Sequence, residues 1–196
     1  MFFTTLSDLL WNNNGVLTTC DALHSGVSKD SFYSFVGEAG LVKVSHGVYT
    51  SPDVLSDEFY LLQVRFPKAV FSHETALYLH DLSDMEPMPL TVSVDSNYNA
   101  SGLKASNVKV HFTKPEWYSL GISDLISPFG NKIKVYDAER TVCDIIRKCD
   151  NMDIAVFNHA IREYVSRSDK NYSRLSMYAK TMHIEKKLRE RIGVLL

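Results

Sequence analysis

The sequence predicts an α+β chain built in two parts, and three observations predict it. The first 40 residues hold three short helical patterns, each closed by a glycine. A tight-turn hairpin signature, "LVKVSHGVYT", follows directly. From residue 90 onward strand patterns come first and helix patterns after, the order of a small antiparallel or mixed sheet that carries helices. At 196 residues, with 45% apolar and 22% charged, the chain has material for two modest cores, and the expected division is 1–55 and 56–196.

In the first part, Phe3, Leu6, Leu9 and Leu10 recur at helical spacing and "NNNG" stops the element at Gly15. Thr18 can cap a second helix of about two turns; Asp21 sits where a carboxylate suits the free amides, and Gly26 closes the helix. Ser28 caps the third, in which Phe32, Phe35, Val36 and Ala39 form one apolar face and Gly40 takes the left-handed stop. Lys29, Asp30, Tyr33, Ser34 and Gly37 are left facing outward. Only "GVS" separates the second helix from the third. Val42 and Val44 then alternate with Lys43 and Ser45, "HG" makes the turn with His46 at its tip, and Val48 and Tyr49 return. Helix, helix, helix, hairpin is the order of a winged helix-turn-helix, in which the third helix and the wing can meet DNA.

In the second part a helix over "EFYLLQVRF" ends before Pro67, and Ser72 can cap another bearing Ala76, Leu77 and Leu79. Strands are predicted at 90–94, 108–112, around "GISDLI" and at 132–136, with the polar "DSNYNASGLKAS" an exposed loop between the first two. Asp137 can cap a helix whose face is Ala138, Val142, Ile145, Ile146 and Cys149. Three further helices carry Ile154, Phe157, Ala160, Ile161, Tyr164 and Val165, then Tyr172, Leu175, Ala179 and Met182, then Ile184, Leu188, Ile192 and Leu195, the last of which lies outside the residues described below.

Charge raises the main question about function. The overall balance of −2 hides −3 over residues 1–53 and +5 over residues 130–196. Residues 27–52, the stretch shaped to touch DNA, sum to zero: Lys29 and Lys43 against Asp30 and Glu38. Neutrality does not bar base reading by Ser, Lys and Tyr, but it leaves phosphate attraction to come from elsewhere. Arg147, Lys148, Arg174, Lys180, Lys186, Lys187, Arg189 and Arg191 on the last helices are a candidate surface for phosphate or for an acidic partner.

Little in the sequence points to catalysis. No Gly-rich phosphate loop, no Gly-x-Ser-x-Gly elbow and no cofactor motif occur. His73, Glu74 and His80 have the wrong spacing for a zinc helix, so no metal is expected. Asp137 and Glu139 beside Lys132 and Lys134 hint at a nuclease, but in the wrong order for the usual site. The three cysteines, odd in number and without a Cys-x-x-Cys pair, are expected to be reduced core thiols. No apolar run approaches the roughly 18 residues of a membrane span and no leader pattern opens the chain, so a cytosolic location is expected.

Three segments, "GVSKDSFYSFVGEAGLVKVSHGVYTSP", "SHETALYLHDL" and "VYDAERTVCDII", resemble, in that order, the AbiEi-type antitoxins of bacterial abortive-infection, type IV toxin-antitoxin systems. The resemblance implies a non-enzymatic protein in the cytoplasm. Its winged helix would bind inverted repeats in its own promoter as double-stranded DNA and repress the operon. Its C-terminal domain would counter a nucleotidyltransferase-like toxin without holding it in a stable complex. On this chain the implied DNA readers are Ser28, Lys29, Ser31, Tyr33 and Ser34 on the helix and Lys43, Ser45 and His46 on the wing. Glu139, Arg140, Thr141 and Asp144 match a family motif and are expected to brace the fold. This chain departs from many relatives in having two lysines where they carry several arginines. The alternatives are a winged helix that docks on protein instead of DNA, and a nuclease.

Overall fold

A computed structural model, which describes residues 2–193, begins with the helix that the early leucines predict. This helix, α1 (Phe2–Asn12), buries Leu6 and half-buries Leu9 and Leu10. Asn14 and Gly15 then reverse the chain at positive φ. A Cβ at Gly15 would stand 2.5 Å from Val54 Cγ2, so the turn requires glycine. A strand that no pattern announced follows, β1 (Val16–Thr18), too short to show alternation.

Thr18 caps α2 (Thr19–His24): its Oγ accepts from Asp21 N at 3.0 Å and donates to the Asp21 carboxylate at 2.7 Å. Ser28 caps α3 (Lys29–Glu38) likewise, accepting from Ser31 N at 3.2 Å. The face of α3 buries Phe32 and Phe35 and leaves Lys29, Asp30, Tyr33, Ser34 and Gly37 outside, as the spacing predicts. Ala39 departs from that prediction: it lies beyond the last turn and is exposed.

The hairpin is β2 (Val42–Ser45) and β3 (Val48–Thr50), and the sheet order is β1-β3-β2. Central β3 buries Val48 and Tyr49, whereas edge strand β2 leaves Val42 and Val44 exposed, so its alternation marks no core face. Leu6, Leu17, Ala22, Val27, Phe32, Phe35 and Tyr49 form the core, with Phe32 edge-on to Tyr49 at 5.4 Å between ring centres.

This unit runs to Pro67 and also takes in Ile126–Ile133, so it extends past the expected boundary at 55. It therefore contains α4 (Glu58–Arg65). Buried Asp57 ties these pieces together. One carboxylate oxygen accepts from Tyr60 N at 3.0 Å, which caps α4. The other accepts from Ser127 Oγ at 2.5 Å and Asn131 Nδ2 at 2.8 Å. Asn131 in turn accepts at 2.7 Å from Asn14 Nδ2.

The second unit comprises Lys68–Leu125 and the chain from Lys134 onward. Its strands are β4 (Val70–Phe71), β5 (Thr91–Asp95), β6 (Lys109–Thr113), β7 (Ile122–Ile126) and β8 (Lys132–Tyr136). They form a mixed sheet in the order β6-β5-β4-β8-β7, with β5 antiparallel to β4 and parallel to β6, and β4 parallel to β8. The helices are α5 (His73–Leu79), α6 (Ser101–Ala105), α7 (Pro115–Tyr118), α8 (Ala138–Lys148), α9 (Ile154–Ser166), α10 (Tyr172–Thr181) and α11 (Glu185–Ile192).

Four strands and the last four helices lie where the pattern predicts; β4, α6 and α7 are too short to have signalled themselves. The segment expected to be an exposed loop contains α6 and buries Ala100 and Leu103. Ile154, expected on the inner face of α9, is exposed in its first turn. The core gathers Val142, Ile145 and Ile146 of α8 with Phe157, Ile161 and Tyr164 of α9, Leu175 and Ala179 of α10, and Ile192 of α11. Cys143 and Cys149 are buried thiols, but Cys20 is exposed on α2 and is no core residue. The chain is α+β, and among the described residues no helix is long and apolar enough to cross a membrane.

Candidate nucleic-acid interface

Four of the eight implied DNA readers converge. Lys29 and Tyr33 of α3, Lys43 of β2 and His46 at the hairpin turn line one cleft of about 440 Å³. The rest of its wall is Thr18, Thr19, Cys20, Gly47, Val48, Tyr49 and, from α4, Val64 and Arg65. The short α2 reaches the wall because Thr19 N donates to Gly47 O at 2.9 Å, which ties the start of α2 to the hairpin turn. Tyr33 is half exposed, its ring edge-on to Phe32 and Tyr49.

The charged residues of the neutral segment divide between the cleft and the rest of the surface. Lys29 and Lys43 line the cleft, and their formal opposites Asp30 and Glu38 do not. Arg65, outside the stretch that sequence singled out, also lines the cavity, and among the described residues no carboxylate does. Only tertiary packing brings Arg65 and Thr19 to this wall; nothing in their local sequence identifies them.

Ser28, Ser31, Ser34 and Ser45 do not line the cleft. Ser28 Oγ is occupied as the helix cap and also donates to Ser31 Oγ at 3.0 Å, and Ser34 Oγ donates to Glu38 at 3.3 Å. These hydroxyls hold α3 together.

The basic C-terminal helices in the second unit are less available than their sequence suggests. Arg147 pairs with Asp144 at 3.4 Å, Arg174 with Glu139 at 3.4 Å and Asp137 at 3.7 Å, Lys187 with Asp150 at 3.3 Å, and Lys186 approaches Glu190 at 4.0 Å. Arg191 lies over the Phe157 ring. Lys148, Lys180 and Arg189 are exposed, one on each of three helices, and make no ion pair among the described residues.

The Glu139, Arg140, Thr141 and Asp144 group is buried throughout. Arg140 Nε donates to Asp144 at 3.1 Å, and its Nη1 donates to the carbonyls of Trp117 at 2.6 Å and Leu120 at 2.7 Å. Its guanidinium stacks on the Tyr136 ring, 4.2 Å from the centre. Glu139 accepts from Tyr164 Oη at 3.2 Å and Asn171 N at 2.9 Å. The group therefore staples α8 to its neighbours, as expected. Asp137, the carboxylate that hinted at a nuclease, accepts from Arg140 N at 2.8 Å and Tyr178 Oη at 2.8 Å, and burial raises its pKa.

His73, the first residue of α5, has φ of 48° and lies buried, its ring stacked on His111 of β6 with centres 3.7 Å apart. His73 Nδ1 lies 3.1 Å from Ser72 Oγ, which also accepts from Ser93 Oγ at 2.9 Å. Ser72 thus spends its hydroxyl on this pair and makes no cap bond to α5. Burial drives the His73 pKa well below the ordinary value, with the His111 charge adding to it; burial also lowers that of His111. Among the described residues no group of three or more His, Cys, Asp or Glu side chains is placed to hold a metal ion.

No protein-family model matches the chain, and no curated protein matches it. Among solved structures it is similar to the crystal structure of the RV2827C protein from Mycobacterium tuberculosis, with a TM-score of 0.60 and 14% identity. That likeness covers 93% of this chain and 75% of the other. At this identity the likeness concerns fold alone, and the two proteins share an α+β architecture.

Proposed function

We propose that this protein is a cytoplasmic, non-enzymatic antitoxin of the AbiEi type that also represses its own operon. In this reading α1 to α3 and the β2–β3 hairpin are a winged helix-turn-helix that binds promoter inverted repeats as duplex DNA. The second unit counters a nucleotidyltransferase-like toxin without forming a stable complex with it. The observation that carries the DNA half is the cleft, whose wall holds Lys29, Tyr33, Lys43 and His46 and, among the described residues, no carboxylate. The order of the three family-like segments supports the antitoxin half. Lys29 and Tyr33 supply base contacts, and cations supply the sequence-independent grip.

A mobility-shift titration with the upstream promoter duplex and a random duplex tests the repressor half. Preference for the promoter is expected, with Lys29→Ala and Tyr33→Ala each weakening it by about 1–3 kcal/mol. Equal binding to both duplexes would defeat it. Co-expression with the toxin encoded alongside tests the other half: growth rescue without co-purification is expected. The exposed groove of about 570 Å³ around Leu10, Trp11, Val54 and Phe129, with Trp11 85% exposed, favours a second reading in which the first unit docks on protein. Stable co-purification of toxin, lost in Trp11→Ala, would replace the first reading with the second.

A further inference from the structure

We infer that the open groove beside α1 on the first unit is a self-association face, in which two copies of this chain exchange their Trp11 side chains, whether or not the chain is an antitoxin. All of the groove belongs to the first unit. The end of α1 supplies Leu10 and Trp11, the turn after it Gly15, the segment after β3 Val54, and the Ile126–Ile133 segment Phe129 and Gly130. Trp11 is 85% exposed, Phe129 48% and Val54 41%, and Leu55, next in the chain, is 79% exposed. Trp11 and Phe129 alone leave roughly 300 Å² of aromatic surface in water, enough to mark a contact surface.

Charge selects what covers it. Among the described residues none that lines the groove is ionised, in a chain that is 22% charged, and Asp8, the one ionised residue of α1, is not on its wall. A nucleic-acid backbone finds no cation here, and a strongly charged protein finds no counter-charge. A two-fold contact brings one surface against itself, so a charged side chain near the axis meets its own like charge. An uncharged face escapes that repulsion. The polar residues on the wall, Ser7, Asn14 and Ser51, carry groups that both donate and accept, so each is compatible with its own copy where an ammonium or a carboxylate is not.

Shape is self-complementary as well. Gly15 and Gly130 put no side chain into the hollow, and a Cβ at Gly130 would meet nothing within 4 Å. Each copy therefore offers one projecting indole and one hollow of about 570 Å³ that can receive an indole. The area sets the strength. Roughly 300 Å² per copy falls well short of the ~800 Å² per partner of a tight complex, so the pair is weak and reversible, with a dissociation constant on the order of 10–100 µM.

Sedimentation equilibrium of the full chain from about 1 to about 300 µM is the test. Wild type should pass from monomer to dimer and stop there. Its tryptophan emission should shift to the blue over the same range, because Trp117 is already buried and only Trp11 leaves water. Trp11→Lys and Phe129→Glu should each weaken pairing by roughly thirtyfold, as loss of a central aromatic anchor does, with melting unchanged because both positions are exposed. An equimolar mixture of the two variants should dimerise again: one of its two contacts is native, and the other sets an ammonium against a carboxylate. Wild type that stays monomeric with no emission shift would overturn the inference, and capture of toxin lost in Trp11→Ala would then name the occupant. A dimer that both variants form as tightly lies on another face and would overturn it too, as would growth past the dimer, which marks a contact that does not close. No DNA is present in these measurements, so loss of promoter preference would defeat the repressor reading and leave the self-association intact.

Discussion

Single residues divide into those that sequence could place and those whose meaning depends on surroundings. Caps were legible: Thr18, Ser28 and Asp137 each accept the amide that their position predicts. The sequence cannot show that Arg140 is wholly buried, because arginine is almost never so unless paired. Its partner Asp144 stands one helical turn on, as the motif suggests, but the carbonyls of Trp117 and Leu120 come from another element. Replacing Arg140 with alanine leaves buried Asp144 only its longer pairing to Arg147 and strips two carbonyls of their donor, so stability should fall by about 3–5 kcal/mol in chemical denaturation. A loss under about 1 kcal/mol would show that the staple is dispensable.

The stacked imidazoles of His73 and His111 make a second residue-scale prediction. Both side chains are held neutral by burial, so their folded pKa values lie below the unfolded value of about 6.5. The unfolded chain therefore binds protons first. Stability is complete above about pH 6.5 and declines as pH falls below it towards the folded values. For each group the slope is at most about 1.4 kcal/mol per pH unit. His73→Asn removes one of the two titrations and keeps a residue that accepts positive φ, so its denaturation midpoint should vary less with pH across that range. An equally steep wild-type and variant profile would contradict this.

At the scale of elements, long periodic segments were legible and short ones were not. The four C-terminal helices and the four five-residue strands follow from their apolar spacing. Two- and three-residue strands such as β4 and β1 exist only because neighbours supply their hydrogen bonds, so no local pattern records them. Edge position misled at β2, where Val42 and Val44 alternate yet both face solvent. The most consequential miss is Asp57, whose partners Ser127 and Asn131 lie 70 and 74 residues away. Asp57→Ala removes the α4 cap and leaves two donors of the 126–133 hairpin unpaired, a loss of about 2–4 kcal/mol. Native-state hydrogen exchange should then report faster exchange in α4 and in the hairpin tip together; acceleration in α4 alone would show that the tip is held by other means.

For the whole molecule, charge bookkeeping along the chain was a poor guide to charge in space. The neutral segment contributes two lysines and, among the described residues, no carboxylate to the cleft wall, while half of the eight C-terminal cations singled out by sequence are engaged with carboxylates. Phosphate attraction was expected to come from the far end of the chain. Arg65, at the end of α4, lines that cleft from within the first unit although its sequence lies beyond the β2–β3 hairpin. Sequence could propose Lys29, Tyr33, Lys43 and His46 because a winged helix uses those positions, but it could not show that Ser28, Ser31 and Ser34 are committed to holding α3.

The most direct test of the account is competition of random duplex against labelled promoter duplex for the full chain at two salt concentrations, with wild type beside Tyr33→Ala and Lys43→Ala. If the cleft reads and grips as argued, wild type prefers the promoter, Tyr33→Ala loses preference at constant salt dependence, and Lys43→Ala lowers the salt dependence at constant preference. Wild-type binding that is equal on both duplexes and unchanged by either substitution would contradict it.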